Sequence, residues 1–314
     1  MSGDPNAPGQ PQNQPQDSGD AGGRGAVLAS GSASVPGFVG GFGQQSGGFG
    51  RIITTGFKLL EGDTLVPVDR IYMSFVYTNG MVQDSRTFGG SDVTANQFRQ
   101  LYGIEKAFLD NRVSVTLRVP VSTLHSDDLP LRVFNGGTGT STVVGDASLV
   151  FKAILFDNPE RGNTFAAGLD VGIPTAQTFF IGNLGVLPER GDWVIQPYVG
   201  GIFRRGELTF QDATGFGFPT SADHAAYFYT SNSAAWMFYR ADSPKRFVTS
   251  MSAIAELFVL EPLGPTRASI QVFEHTADFI SVSLGNSVVL RDWVYWTYGV
   301  STPITKHKSY STQV

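Results

Sequence analysis

Seven charged side chains fall at alternating positions within otherwise apolar or small-residue segments: Glu105, Arg112, Arg118, Asp146, Lys152, Asp170 and Glu256. Opposite charges projecting from one face of extended chain can do one of two things. They can form a polar constriction that sorts solutes by charge and size, or they can pair into a network that fills a narrow interior. The residues leave both readings open. His125 with Asp127 and Asp128, and His224 beside Asp223, offer a different chemistry, a histidine–acid rim suited to hydrolysis. Solvated loop polarity explains these pairs more simply, because His125, His224, His275 and His307 all fall in loops or the tail. The sequence has no HExxH, EF-hand, GxSxG or phosphate-loop pattern. The glycine-rich stretch 40–50 has neither a strand before it nor a helix after it. No catalytic residue, metal ligand or cofactor is therefore assigned.

Composition narrows the setting in which those charges act. Charged residues make up only 16% of the 314, with 38 glycines and 24 phenylalanines. Soluble domains carry nearer ~25% charge, so a surface partly facing lipid is expected. A net charge of −5, with no basic patch, argues against nucleic acid. Cysteine is absent, which removes disulfides, thiol nucleophiles and thiolate zinc sites. No apolar run approaches the ~20 residues of a spanning helix. No secretory signal is visible at the start of the chain.

The elements that must position the charges are strands. Short connections near 109–112, 157–162, 204–206, 241–245 and 291–292 alternate with long ones near 79–97, 122–144, 175–191, 214–223 and 261–275. Antiparallel strands joined this way put tight turns at one end and long loops at the other, the plan of an outer-membrane barrel. Alternation supports it. In 112–121, Val113, Val115, Leu117, Val119 and Val121 share a face opposite Arg112, Ser114, Thr116 and Arg118. In 164–173, Phe165, Leu169 and Val171 oppose Thr164, Gly168 and Asp170. The lipid-facing candidates are Val113, Val115, Leu117, Phe165, Leu169 and Val171. The lumen-facing candidates are the seven charges named above. Trp193, Phe203, Trp236, Tyr239, Trp293 and Trp296 are expected at strand ends, as an aromatic girdle.

The expected fold is all-β: one antiparallel up-and-down transmembrane barrel of about twelve strands, with a disordered N-terminal tail. Residues 1–50 read as a disordered Gly/Pro/Gln-rich tail and linker, 51–66 as a plug, helix or extra strand, and 67–314 as the barrel. Eleven strands are legible. An even number closes a single-chain barrel, so a twelfth, inward strand is needed. Three sources stay open: the polar stretch 303–314 pairing poorly, Ile52–Leu60, or a chain without its natural end.

The stretches PVDRIYMSFVYTN (67–79), YGIEKAFLDNRVSVTLRVPV (102–121), GDASLVFKAILFDNPERGNTFAAGLDVGIPT (145–175), IQPYVGGIFRRG (195–206) and YGVSTPIT (298–305) carry a family likeness. In their order they resemble the transporter-like group of bacterial outer-membrane barrels named for the meta-pathway of phenol degradation. The resemblance spans roughly 67–305 and its motifs are architectural. It implies about twelve strands and passage of small, candidate hydrophobic, molecules. Members end in a further strand with a terminal aromatic, whereas this sequence ends in Val314.

The resulting expectation is a bacterial outer-membrane barrel for passive passage, and not an enzyme. Its expected partners are outer-membrane lipid, small solutes and, during insertion, the barrel-assembly machinery. A structural or surface-binding barrel and an outer-membrane hydrolase are the alternatives.

Overall fold

A computed structural model describes residues 64–83, 93–125, 131–132, 140–158, 160–175, 180–181, 193–220, 226–243, 245–263, 279–291, 293–304 and 312–313. The expected tail at 1–50, the stretch 51–63 with Ile52–Leu60, and His224, His275 and His307 lie outside these. So do Asp127, Asp128 and Asp223.

The described chain is all strand and connection. In order the strands are β1 (Arg70–Gln83), β2 (Val93–Phe108), β3 (Val113–His125), β4 (Leu131–Arg132), β5 (Thr140–Val144), β6 (Ala147–Asn158), β7 (Asn163–Ile173), β8 (Phe180–Ile181), β9 (Val194–Arg205), β10 (Leu208–Pro219), β11 (Tyr227–Arg240), β12 (Val248–Pro262), β13 (Phe279–Leu290), β14 (Val294–Pro303) and β15 (Thr312–Gln313). All pairings are antiparallel. Eleven long strands form one sheet that curls through 313° about an axis, the architecture of a transmembrane β-barrel. Most exceed the ~9–11 residues that cross a bilayer at a tilt.

Tight turns gather at one end. Leu109, Asp110 and Asn111 adopt left-handed backbone in the β2–β3 turn, and Gly162 and Gly206 do so in two others. At the opposite end β4 and β8 pair with each other, tying two long loops together. β5 continues the line of β6 along β3, with a break at Gly145–Asp146.

Closure is unequal round the ring. β2 joins β1 to β3 through long ladders. Between β14 and β1, among the described residues, stands only β15: Gln313 pairs with Ser301 and Thr78, and Thr312 with Asn79. Of the three sources of an inward strand, the polar tail is the one seen pairing there, over two residues.

Side chains divide by parity. Ile71, Met73, Phe75 and Tyr77 of β1 are exposed, whereas Ser74, Val76 and Thr78 are buried. β9, β10 and β12 repeat the pattern. The exposed face is a belt of large apolar side chains, and the buried face is dominated by serine, threonine, glycine and paired charge. This is the inverse of a soluble barrel and suits a hydrocarbon surround. The aromatics expected at strand ends are exposed there: Phe203, Trp236, Tyr239, Trp293 and Trp296 near the tight-turn end, and Trp193 at the other.

Four inward tyrosines, three buried and Tyr72 half-buried, are seated over glycine. Tyr72 pairs with Gly103, Tyr198 with Gly168, Tyr229 with Gly215 and Tyr227 with Gly217. A Cβ on Gly217 would stand 2.0 Å from Tyr227 Cζ, and one on Gly168 2.2 Å from Tyr198 Cζ. Each ring can lie flat across the next strand only because no side chain occupies that spot.

Candidate functional site

The site is the enclosed inner face. At its tight-turn half, three strands bring charges to one point and a fourth adds a hydroxyl. Glu105 on β2 is bonded by Lys152 of β6, by Arg70 Nε of β1 at 2.7 Å and by Ser114 Oγ of β3 at 2.7 Å. Glu105 and Lys152 side chains are almost wholly excluded from solvent. Lys152 Nζ also donates to the Thr64 carbonyl at 3.0 Å, and the Val68 N–H donates to Glu105 Oε1 at 3.4 Å. Thr64, Leu65, Val66 and Pro67 are buried inside the barrel ahead of β1. A Cβ on Gly200 of β9 would stand 2.7 Å from Leu65 Cδ1, so this segment reaches the opposite wall. The cluster thus fastens the N-terminal approach of the chain within the lumen.

Just outside the first strand, Asp69 accepts from Lys106 and from the Ala107 N–H. Lys106 and that amide hold its carboxyl below the usual carboxylate range.

Further toward the long loops, Arg118 Nη1 lies 3.5 Å from Asp170 Oδ2, both side chains buried. Ser231 Oγ donates to Glu256. Near the loop end, Tyr227 OH donates to Gln196 Oε1 at 3.0 Å. Tyr198, Tyr227, Tyr229, Phe258 and Leu260 join Leu65 and Val150 in one apolar cluster. The interior therefore combines a charged wall on β2, β3, β6 and β7 with an aromatic one on β9 to β12.

Of the seven charges singled out by spacing, Glu105, Arg118, Asp146, Lys152, Asp170 and Glu256 are buried. Glu105 and Lys152 meet, as do Arg118 and Asp170; Glu256 stands with Ser231. Arg112 is different. It is exposed in the turn between β2 and β3, because the inward parity of β3 begins at Ser114. Leu117 and Phe165 are exposed on the outer face; Val113, Val115, Leu169 and Val171 share that face, half-exposed. His125 is exposed, its Nδ1 2.8 Å from Thr140 Oγ1. No cluster of acidic and histidine side chains fit to hold a metal occurs among the described residues.

Arg99, fully buried on β2, and Gln196 were not anticipated from spacing. Arg99 shares odd-numbered parity with Leu101, Gly103 and Glu105. That signal is hidden because Phe98, Gln100 and Tyr102 do not read as a clean apolar face.

No family model and no curated protein matches the chain. Among solved structures, an outer-membrane channel from Pseudomonas putida F1 is similar, with a TM-score of 0.54 at 11% identity. The match covers 79% of this chain and 93% of that one. At this identity the likeness is one of fold.

Proposed function

We propose that the chain is a bacterial outer-membrane barrel that lets small molecules pass passively. The observation that carries this reading is the inversion of sidedness: a largely apolar belt outside, with hydroxyls and paired charges inside. Such a molecule is stable in a bilayer and presents a polar path through it. The fold shared with an outer-membrane channel supports the same reading. A narrower version assigns the chain to the phenol meta-pathway group and favours hydrophobic solutes; its support is the order of strand motifs in 67–305. In this reading the belt contacts outer-membrane lipid, and insertion uses the barrel-assembly machinery. Of the readings open for 51–66, the plug is the one that the burial of Thr64, Leu65 and Val66 in the lumen supports. The buried charges then line the passage, and Val113, Val115, Leu117, Phe165, Leu169 and Val171 face lipid.

Refolded protein in planar bilayers is expected to give discrete conductance steps, and uncharged solutes to swell proteoliposomes. Silence in both assays, from protein shown to be inserted, would overturn the proposal.

A second reading is a barrel without transport, serving as a structural or surface-binding element. The packed contact of Lys152 with Thr64 inside the lumen favours it. It predicts no conductance even after residues 1–66 are removed. The hydrolase reading rests on His125 alone among described residues, and the His125→Ala variant should leave every property unchanged.

A further inference from the structure

The outer belt is interrupted at one place. Along β10 the outward side chains run Leu208, Phe210, Asp212, Thr214, Phe216 and Phe218. Along β11 they run Phe228, Thr230, Asn232, Ala234, Trp236 and Phe238. Both strands are aromatic at each end and polar in the middle. Asp212 pairs across the ladder with Asn232, and Thr214 with Thr230. The two threonine hydroxyls are 2.9 Å apart, and Asn232 Nδ2 donates to Thr230 Oγ1 at 3.1 Å. Asp212 takes a backbone hydrogen bond from Gly201. Single neutral residues, Gln100 and Asn286, also face outward on other strands. Here four polar side chains adjoin, and one is a carboxylic acid.

On the flanking strands Asp212 pairs with Gly201, whereas Leu257 stands beside Asn232 and Val199 beside Thr214. Ala234 pairs with Ala255, and Trp236 with Ala253. The patch is low at Gly201, Ala234 and Ala255, and it is framed by Phe210 and Trp236 on the tight-turn side and by Phe216 and Phe228 on the loop side. A carboxyl group and an amide facing hydrocarbon leave hydrogen-bonding capacity unmet, which is costly at mid-bilayer depth. A patch with this chemistry suits protein better than lipid.

We propose that this patch is the contact between two copies of the chain, related by a twofold axis along the membrane normal. The occupant follows from the pairing of groups. A twofold axis between β10 and β11 brings Asp212 of one copy opposite Asn232 of the second copy, and the reverse. The carboxylate accepts and the amide donates, so the surface is complementary to itself. The alanines let the two walls approach, and the rings outside the patch seal its edge. The proposal rests on the barrel standing in a membrane and is independent of whether it conducts.

The chain has no cysteine, so single-cysteine variants report cleanly. In lipid nanodiscs or mild detergent, the full chain is expected to have the mass of a dimer. Ala234→Cys, on the strand beside the axis, should be joined to its mate by a short bifunctional thiol reagent, and Phe151→Cys, exposed on β6, should not. Asn232→Asp sets carboxylates face to face and should give monomers. Adding Asp212→Asn to it restores the acid–amide pairing across the axis and should restore the dimer. Heat-dependent gel mobility confirms that each variant is a folded barrel; should Asn232→Asp not fold, the Ala234→Cys comparison decides. A monomeric wild-type chain in lipid overturns the proposal, as does equal cross-linking from Phe151→Cys. So does an Ala234→Cys product in native membranes that joins this chain to a different protein. A chain that stays in solution without detergent fails the membrane reading itself; a lipid-inserted monomer fails only this one.

Discussion

At the residue scale the decisive group is Glu105. Its carboxylate is shared by Lys152, Arg70 and Ser114, and the same cluster holds the Thr64–Val68 approach inside the barrel. Removing one partner of a buried pair leaves the other charge uncompensated, at a cost of roughly 3–5 kcal/mol. Glu105→Gln is therefore expected to lower the denaturant midpoint strongly, whereas Glu105→Gln with Lys152→Met should recover much of the loss. Equal destabilisation by the single and double variants would show that the pair is not the source. Freed of Lys152, Thr64 also loses its anchor, so a conducting barrel should open more often in Lys152→Met. Asp69 offers a milder, pH-dependent handle. Its folded carboxyl titrates below the ordinary range because Lys106 and the Ala107 amide favour the charged form. Its contribution is thus present above the ordinary carboxylate range and is lost as pH falls through the folded value. The acid limb of stability should be shallower in Asp69→Asn, and an unchanged limb would remove Asp69 from the account.

At the element scale the tyrosine–glycine pairs set how neighbouring strands lie. A methyl group on Gly217 or Gly168 would overlap a tyrosine ring that is already buried. Overpacking of this kind costs about 1–3 kcal/mol. Gly217→Ala should therefore destabilise the barrel, and Tyr227→Ala beside it should relieve part of the strain; strictly additive losses in unfolding would argue against the contact. These pairs also explain what could be read from sequence. Clean alternation in 112–121 and 164–173 marks β3 and β7, and the turns fall where the short connections suggested. β10 runs to Pro219, into the stretch 214–223 that the sequence presents as a long connection. Its second half, TGFGFP, places glycine inward at Gly215 and Gly217, where a hydropathy pattern expects a signal. The missing inward side chains are supplied by Tyr229 and Tyr227 from β11. Arg99, in the middle of β2, is hidden because its outward neighbours Phe98, Gln100 and Tyr102 mix apolar and polar side chains, whereas Arg112 falls in the turn because a strand's end follows backbone pairing that side-chain type does not encode. The convergence of β1, β2, β3 and β6 on Glu105 is a property of register round the ring, which no local window contains.

At the scale of the whole molecule the barrel has one weak seam. The β1–β2 ladder runs from Arg70 to Gln83, and β13 pairs with β14 along its length. Between β14 and β1, among the described residues, Thr312 and Gln313 make the only registered pairs. Backbone groups facing hydrocarbon without partners are unfavourable, so the seam is where the ring should open first. Amide exchange of the inserted protein tests this. Amides of β1 and β14 are expected to exchange faster than those of β6 and β7, which are laddered on both sides. Gln313→Pro removes a donor and the extended pairing around it, at about 1 kcal/mol for each hydrogen bond lost. It should accelerate exchange in β1 and β14 while leaving β6 and β7 as they were. Uniform protection round the ring, unaffected by Gln313→Pro, would mean that the two-residue strand is not what holds the barrel shut.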